Sequence, residues 1–234
     1  MNYLSGKNNK VFISGEMVSE PVFSHEVYGE GFYDILVSVK RLSGQSDCLP
    51  VTISERLLTD KAIKVGDTIN ALGQFRSYNK LVDGKSKLML TVFVRELFDY
   101  SIIKNPNTIV LSGYVCKQPV YRTTPFNREI TDVLIAVNRS YNKSDYIPCI
   151  AWGRNARFAK NLAVGEKIAV SGRIQSREYQ KKITDDDIRT LTAYEVSIGK
   201  LCAYENAENF DADEEFNLLG YNFNGEQTEN VYID

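Results

Sequence analysis

Apolar residues fall along this chain in short runs, rich in valine and isoleucine and parted by clusters of Gly, Pro, Asn and Asp, as in Val11-Phe12-Ile13 and Ile109-Val110-Leu111. Such runs predict short strands joined by turns, the pattern of an all-β meander or small barrel. The alternation is explicit near the end of the second half. Ile168, Val170, Gly172 and Ile174 share one parity, and Arg173, Gln175, Arg177 and Tyr179 share the other. Successive side chains of a strand face opposite ways, so the aliphatics line an interior and the basic and aromatic groups face out. Gly172 in mid-strand predicts a sharp bend where a side chain would crowd. A second strand alternates Ile147, Cys149 and Ala151 with Tyr146, Pro148, Ile150 and Trp152. If the first trio faces the core, the single tryptophan faces out beside Tyr146.

The pattern is written twice. Val11-Phe12-Ile13-Ser14-Gly15 recurs as Ile109-Val110-Leu111-Ser112-Gly113, a shift of 98 positions, and at the same shift Asp34-Ile35-Leu36-Val37 meets Asp132-Val133-Leu134-Ile135 and Asp47 meets Asp145. The register then slips by one, so that Val65-Gly66 answers Val164-Gly165 and Gly73 answers Gly172. A period of that length is too long for a solenoid unit and implies two homologous domains. One segment in each reads as helix, Arg56 to Ala62 and Arg154 to Leu162, between the third and fourth strands. Five strands with one helix at that place is the OB-fold arrangement, and closure into a barrel leaves no unprotected edges. The predicted architecture is therefore all-β, with two tandem five-stranded OB-fold barrels over residues 8–102 and 107–202. A disordered acidic C-terminal tail follows over 203–234.

Charge sharpens this division. Residues 1–104 hold 13 Lys+Arg against 12 Asp+Glu, residues 105–200 hold 15 against 9, and residues 201–234 hold none against 9, beneath a whole-chain net charge of −2. A basic second half and an acidic end predict a polyanion surface with an appended tail able to compete for it. No apolar stretch approaches the roughly 20 residues that span a bilayer, and the first residues lack the pattern of a secretory signal. Cys48, Cys116, Cys149 and Cys202 are scattered singly, which predicts reduced thiols rather than a metal or disulfide framework. Together these predict a cytoplasmic protein with no membrane partner.

Sequence-tolerant binding of an unpaired strand needs flat groups for bases and cations that follow the phosphates, each stacked base contributing about 1–3 kcal/mol. The second repeat offers Tyr141, Tyr146, Trp152 and Tyr179 as rings, with Tyr121 and Phe126 in its first hairpin. Its cations include Arg122, Arg128, Arg139, Lys143, Arg154, Arg173 and Arg177. Here the residues resemble a known family. Thr124-Pro125, Ile135-Ala136-Val137-Asn138-Arg139, Cys149-Ile150-Ala151-Trp152-Gly153-Arg154 and Gly172-Arg173-Ile174-Gln175-Ser176-Arg177-Glu178-Tyr179 occur in the order and spacing of the bacterial single-stranded DNA-binding protein family. The resemblance covers residues 108–200 and implies base stacking at Tyr141, Tyr146, Trp152 and Tyr179. In the first repeat the corresponding positions read Ser43, Cys48, Ser54 and Tyr78, with Gln74 opposite Arg173 and Arg76 opposite Gln175. That repeat is expected to serve assembly or to give the strand a weak path. Family members present four barrels per working unit, so the resemblance also implies a homodimer.

Other chemistry is sparse. His25, the only histidine, has no nucleophile or carboxylate arranged around it, Asp185-Asp186-Asp187 reads as a connecting turn, and no Gly-rich phosphate loop is present. No catalysis, metal or cofactor is expected. The cation-free tail carries Phe210, Phe216, Leu218, Leu219, Tyr221 and Phe223 among its acids, a composition suited to docking on basic grooves of replication or repair proteins. It ends Asn230-Val231-Tyr232-Ile233-Asp234, unlike the Ile-Pro-Phe ending of the family. The function expected is sequence-independent binding of single-stranded DNA in replication, recombination or repair. A primosome-type protein-interaction scaffold and an RNA-binding module are the alternatives.

Overall fold

The apolar runs fold as strands, in the order the repeat predicts. The computed structural model describes residues 8–82, 84–99, 105–182 and 188–203. The first repeat contributes β1 (Asn9–Met17), β2 (Val22–Val27), β3 (Glu30–Lys40), β4 (Ser46–Ser54), α1 (Glu55–Asp60), β5 (Thr68–Val82) and β6 (Lys85–Phe98). The second contributes β7 (Asn107–Val115), β8 (Val120–Thr123), β9 (Glu129–Arg139), β10 (Lys143–Trp152), α2 (Gly153–Ala159), β11 (Lys167–Lys182) and β12 (Ile188–Ala203). Residues 204–234 of the acidic tail and Asp185-Asp186-Asp187 lie outside the described residues.

In the first repeat β1 pairs with β5, β5 with β6, β6 in parallel with β4, β4 with β3, and β3 back onto β1 through Met17 and Val37. The pairings close a ring of five strands. The second ring closes likewise through β7, β11, β12, β10 and β9, ending on Val115 and Ile135. A short sixth strand, β2 or β8, extends each β3 or β9 as an exposed hairpin arm outside the ring.

Glycine permits the bends. A Cβ on Gly172 would stand 2.1 Å from the carbonyl oxygen of Ser197, and the register of β11 against β12 slips at this residue. Gly73 meets Phe93 in the same way at 2.2 Å. The strand crossing needs a backbone approach that no side chain allows.

The rings are joined by β1 against β7, with Val11 opposite Ile109. Because Ile109 is also the counterpart of Val11 in the repeat, a local twofold axis passes through that pair. Flanking bonds obey it: the Ser14 N–H donates to the Pro106 carbonyl at 2.7 Å, and the Ser112 N–H to Asn8 at 2.8 Å. The interiors, including Val11, Phe75, Ile109 and Ile174, merge into one buried cluster across the seam. Ile147, Cys149 and Ala151 belong to this cluster and Trp152 does not, as the parity of β10 predicts.

The outward row of β11 departs from expectation. Gln175 is only 6% exposed and donates to Glu195 at 2.8 Å. The outer face of β11 packs on β4 of the first repeat at this level, so Gln175 is covered, Arg173 is partly covered, and the row is fully open to solvent from Arg177 onward. Pattern within one repeat assigns a face but not what covers it.

Candidate nucleic-acid interface

Tyr141 sits in the turn between β9 and β10, where it and Asn142 both have positive φ, 63° and 53°. These two left-handed residues close the three-residue turn between the paired Arg139 and Lys143. A tyrosine is strained there, by about 1–2 kcal/mol, yet its ring is 94% exposed and so is not held in place by packing. Tyr146 and Trp152 project from the outer face of β10 and are 46% and 37% exposed. Tyr179, 37% exposed, lies on β11 beyond the covered stretch. It shares a groove of about 650 Å³ with Pro148, Tyr194 and Tyr78, which brings it beside the β10 row. All four expected stacking rings therefore reach the surface.

Trp152 stands at the N-cap position of α2 without any side-chain cap, whereas its counterpart Ser54 accepts the Leu57 N–H at 3.4 Å and caps α1. Losing a cap typically costs about 0.5–2 kcal/mol. The second repeat forgoes that contribution where it presents its indole.

The cations divide into two groups. Arg128, Lys143 and Arg154 are exposed and have no carboxylate partner among the described residues. The others are engaged. Arg122 is held by Asp132 at 2.9 Å, and Arg177 lies 3.7 Å from Glu195 and over the Tyr179 ring at 5.8 Å. Arg139 stands 3.3 Å from the fully buried Asp145. Arg173 does not join the aromatic surface: its guanidinium binds Asp47 of the first repeat at 3.2 Å and Gln175 at 3.0 Å.

Asp47 and Asp145 are the junction residues that the strand pattern did not single out. Asp47 accepts the Ser176 N–H at 2.7 Å and Arg41 Nε at 2.7 Å. Asp145 accepts the Ser77 N–H at 2.6 Å, while Oδ2 has no hydrogen-bond partner. Burial pulls the Asp47 carboxyl upward, but the Arg41 bond, the Ser176 N–H and the charges of Arg41 and Arg173 outweigh it, and the group is held below the usual carboxylate range. At Asp145 burial wins over the Ser77 N–H and the charges of Arg139 and Arg76, and the carboxyl is raised. One twofold thus relates two carboxylates with opposite tendencies. The repeat itself, Asp47 answering Asp145, was the only available sequence signal of their shared role.

The junction also fixes the correspondence of β5 and β11. Ser77 and Ser176 make equivalent bonds to these carboxylates, so Tyr78 corresponds to Arg177 and Lys80 to Tyr179. Tyr78 is therefore not the counterpart of Tyr179, and the first repeat lacks an aromatic residue at all four stacking positions.

The model of the single-strand binding protein family matches residues 106–200. The single-stranded DNA-binding protein of Caldanaerobacter subterraneus is 32% identical over 123 residues, covering 46% of this chain and 81% of that one. That of Clostridium tetani is 36% identical over 83 residues, 32% of this chain and 57% of the relative. Single-stranded DNA-binding protein 1 of Staphylococcus aureus is 36% identical over 83 residues, 32% and 50% of the two chains. In these last two comparisons the chain spans about half the length of its relatives. The wild-type single-stranded DNA binding protein from Thermus aquaticus is similar in fold, with a TM-score of 0.64 at 20% identity over 86% of this chain and 94% of that one. A closed five-strand ring with a helix between its third and fourth strands, and a relative matched over most of its length, place the protein among OB-fold chains. The chain belongs to the single-strand binding protein family.

Proposed function

We propose that this protein binds single-stranded DNA without sequence preference, in replication, recombination or repair, through the outer surface of its second repeat. The observation that carries the reading is that Tyr141, Tyr146, Trp152 and Tyr179 are all solvent-exposed on a repeat that also presents the uncommitted cations Arg128, Lys143 and Arg154. Unpaired bases stack on such rings whatever their identity, and the cations follow the phosphates. The activity is binding, with no covalent step. Arg122, Arg139 and Arg177 contribute only as far as DNA phosphate competes with their carboxylates, and Arg173 serves the junction first. Residues 8–102 and 107–202 act as the two domains, the first completing the seam that holds the second. Two chains would supply four barrels as a homodimer, and the acidic tail would recruit replication or repair proteins.

The test is titration of Trp152, the only indole, with oligo(dT). Quenching is expected, and Trp152→Ala with Tyr179→Ala should weaken binding, followed by anisotropy of a labelled strand, by about 2–6 kcal/mol through loss of two platforms. Binding undiminished in the double variant would refute the role of these rings.

A further inference from the structure

The first repeat has no aromatic residue at the four stacking positions, yet its surface carries a ring ladder of its own. Phe93 of β6 stacks on Phe32 of β3 with centroids 5.4 Å apart, and Phe32 stacks on His25 of β2 at 5.0 Å and 9° from parallel. The Arg76 guanidinium lies over Phe93 at 3.8 Å. Strand registers place Ile130 where the first repeat has Phe32, Ser197 where it has Phe93, and Arg122 where it has His25. The two repeats have exchanged positions for their rings. In the cross-strand pair Phe32 with Ser54 the aromatic group is on β3, and in the equivalent pair Ile130 with Trp152 it is on β10.

The ladder borders a groove of about 530 Å³ lined also by Arg76, Lys80 and Arg139, against one acid, Asp34, whose carboxylate accepts the Thr52 hydroxyl at 2.7 Å. Burial, helped by the charges of Arg95 and Arg139 and opposed by Asp145, pulls Arg76 down to about 10. Its Nε has no hydrogen-bond partner. An anion beside Arg76 would offset the cost of burying its charge. The groove is also continuous with the second repeat. Ser77, which lines it, accepts the Tyr146 N–H at 2.8 Å, and Arg139 pairs across the hairpin with Lys143, next to the Tyr141 turn.

We propose that the first repeat holds a second single-strand subsite, in which a base lies against His25 at the exposed end of the ladder and its phosphates meet Arg76, Lys80 and Arg139. This rests on the reading of the second repeat as the primary strand surface. A strand passing Tyr146 and Tyr141 continues into this groove, so its contribution appears only with strands long enough to span both repeats.

The variant His25→Ala/Lys80→Glu alters two exposed side chains and leaves the packed Phe32 and Phe93 in place. Wild type and variant are titrated with oligo(dT) of about 8 and about 30 nucleotides, chosen around the roughly 4–16 nucleotides one such fold covers. Trp152 quenching should be the same for the short strand. For the long strand affinity should fall at least about tenfold, with a shorter occluded length. Lys80→Glu alone, expected to give a smaller loss in the same direction, decides the matter if the double variant misfolds. Equal affinities for the long strand, or an equal loss with both strands, would overturn this subsite while leaving the primary surface standing. No quenching of wild type by either strand would overturn both.

Discussion

Replacing Asp47 by asparagine removes one charge from the seam between the repeats without changing side-chain volume. The Asp47 carboxylate is fully buried and receives Arg41 at 2.7 Å, Arg173 at 3.2 Å and the Ser176 N–H at 2.7 Å. An asparagine oxygen can still accept the Ser176 N–H, but the amide NH₂ then faces two guanidinium donors. Breaking a fully buried pair costs about 3–5 kcal/mol. The Arg41 and Arg173 side chains are 24% and 37% exposed and can partly recover water, so about 2–4 kcal/mol is expected here. Urea unfolding at neutral pH should show the loss as a lower midpoint, and because the bonds cross the seam the transition should broaden or split. The pH dependence has a definite sign. A carboxyl held low in the folded state stabilises above its unfolded pKa of about 3.9 and loses that contribution as pH falls through the folded value. The penalty of Asp47→Asn should therefore be complete at neutral pH and shrink in acid below about 4. A variant within about 0.5 kcal/mol of wild type at pH 7, or a penalty unchanged in strong acid, would refute the reasoning.

Asp145→Asn should cost less than Asp47→Asn at neutral pH, because Asp145 Oδ2 has no hydrogen-bond partner and its carboxyl is already raised. As pH falls from neutral towards about 4, wild type takes up that proton preferentially when folded and should gain stability relative to this variant, measured by urea midpoints. Gly172→Ala should destabilise by about 1–3 kcal/mol or more in the same assay, since the new Cβ would meet the Ser197 carbonyl oxygen at 2.1 Å. Arg154→Gln should lower the salt dependence of oligo(dT) binding by a slope of about 0.7 if Arg154 contacts one phosphate, whereas an unchanged slope would remove it from the interface.

The sequence alone determined the elements that depend on local period and punctuation. The alternation around Ile147 and Cys149 placed those residues in the core and Trp152 outside, and the 98-residue repeat made two copies of one arrangement legible. Gly172 in mid-strand marked a bend because only a missing side chain permits that approach. Other features were decided by contacts between distant segments. Gln175 shares parity with Tyr179 but is buried, and Arg173 is drawn to Asp47, because β11 packs on β4 of the other repeat. Tyr78 matched Tyr179 by residue type, whereas the one-residue slip that sets Gly73 against Gly172 puts Lys80 opposite Tyr179, and the equivalent bonds of Ser77 and Ser176 agree with that register. The His25–Phe32–Phe93 ladder joins the β2–β3 hairpin to the distant strand β6, so no periodicity within one strand could reveal it. Period fixes which side of a strand a residue occupies. What lies against that side is set by the closure of the rings and the twofold seam, which bring together residues that share no local pattern.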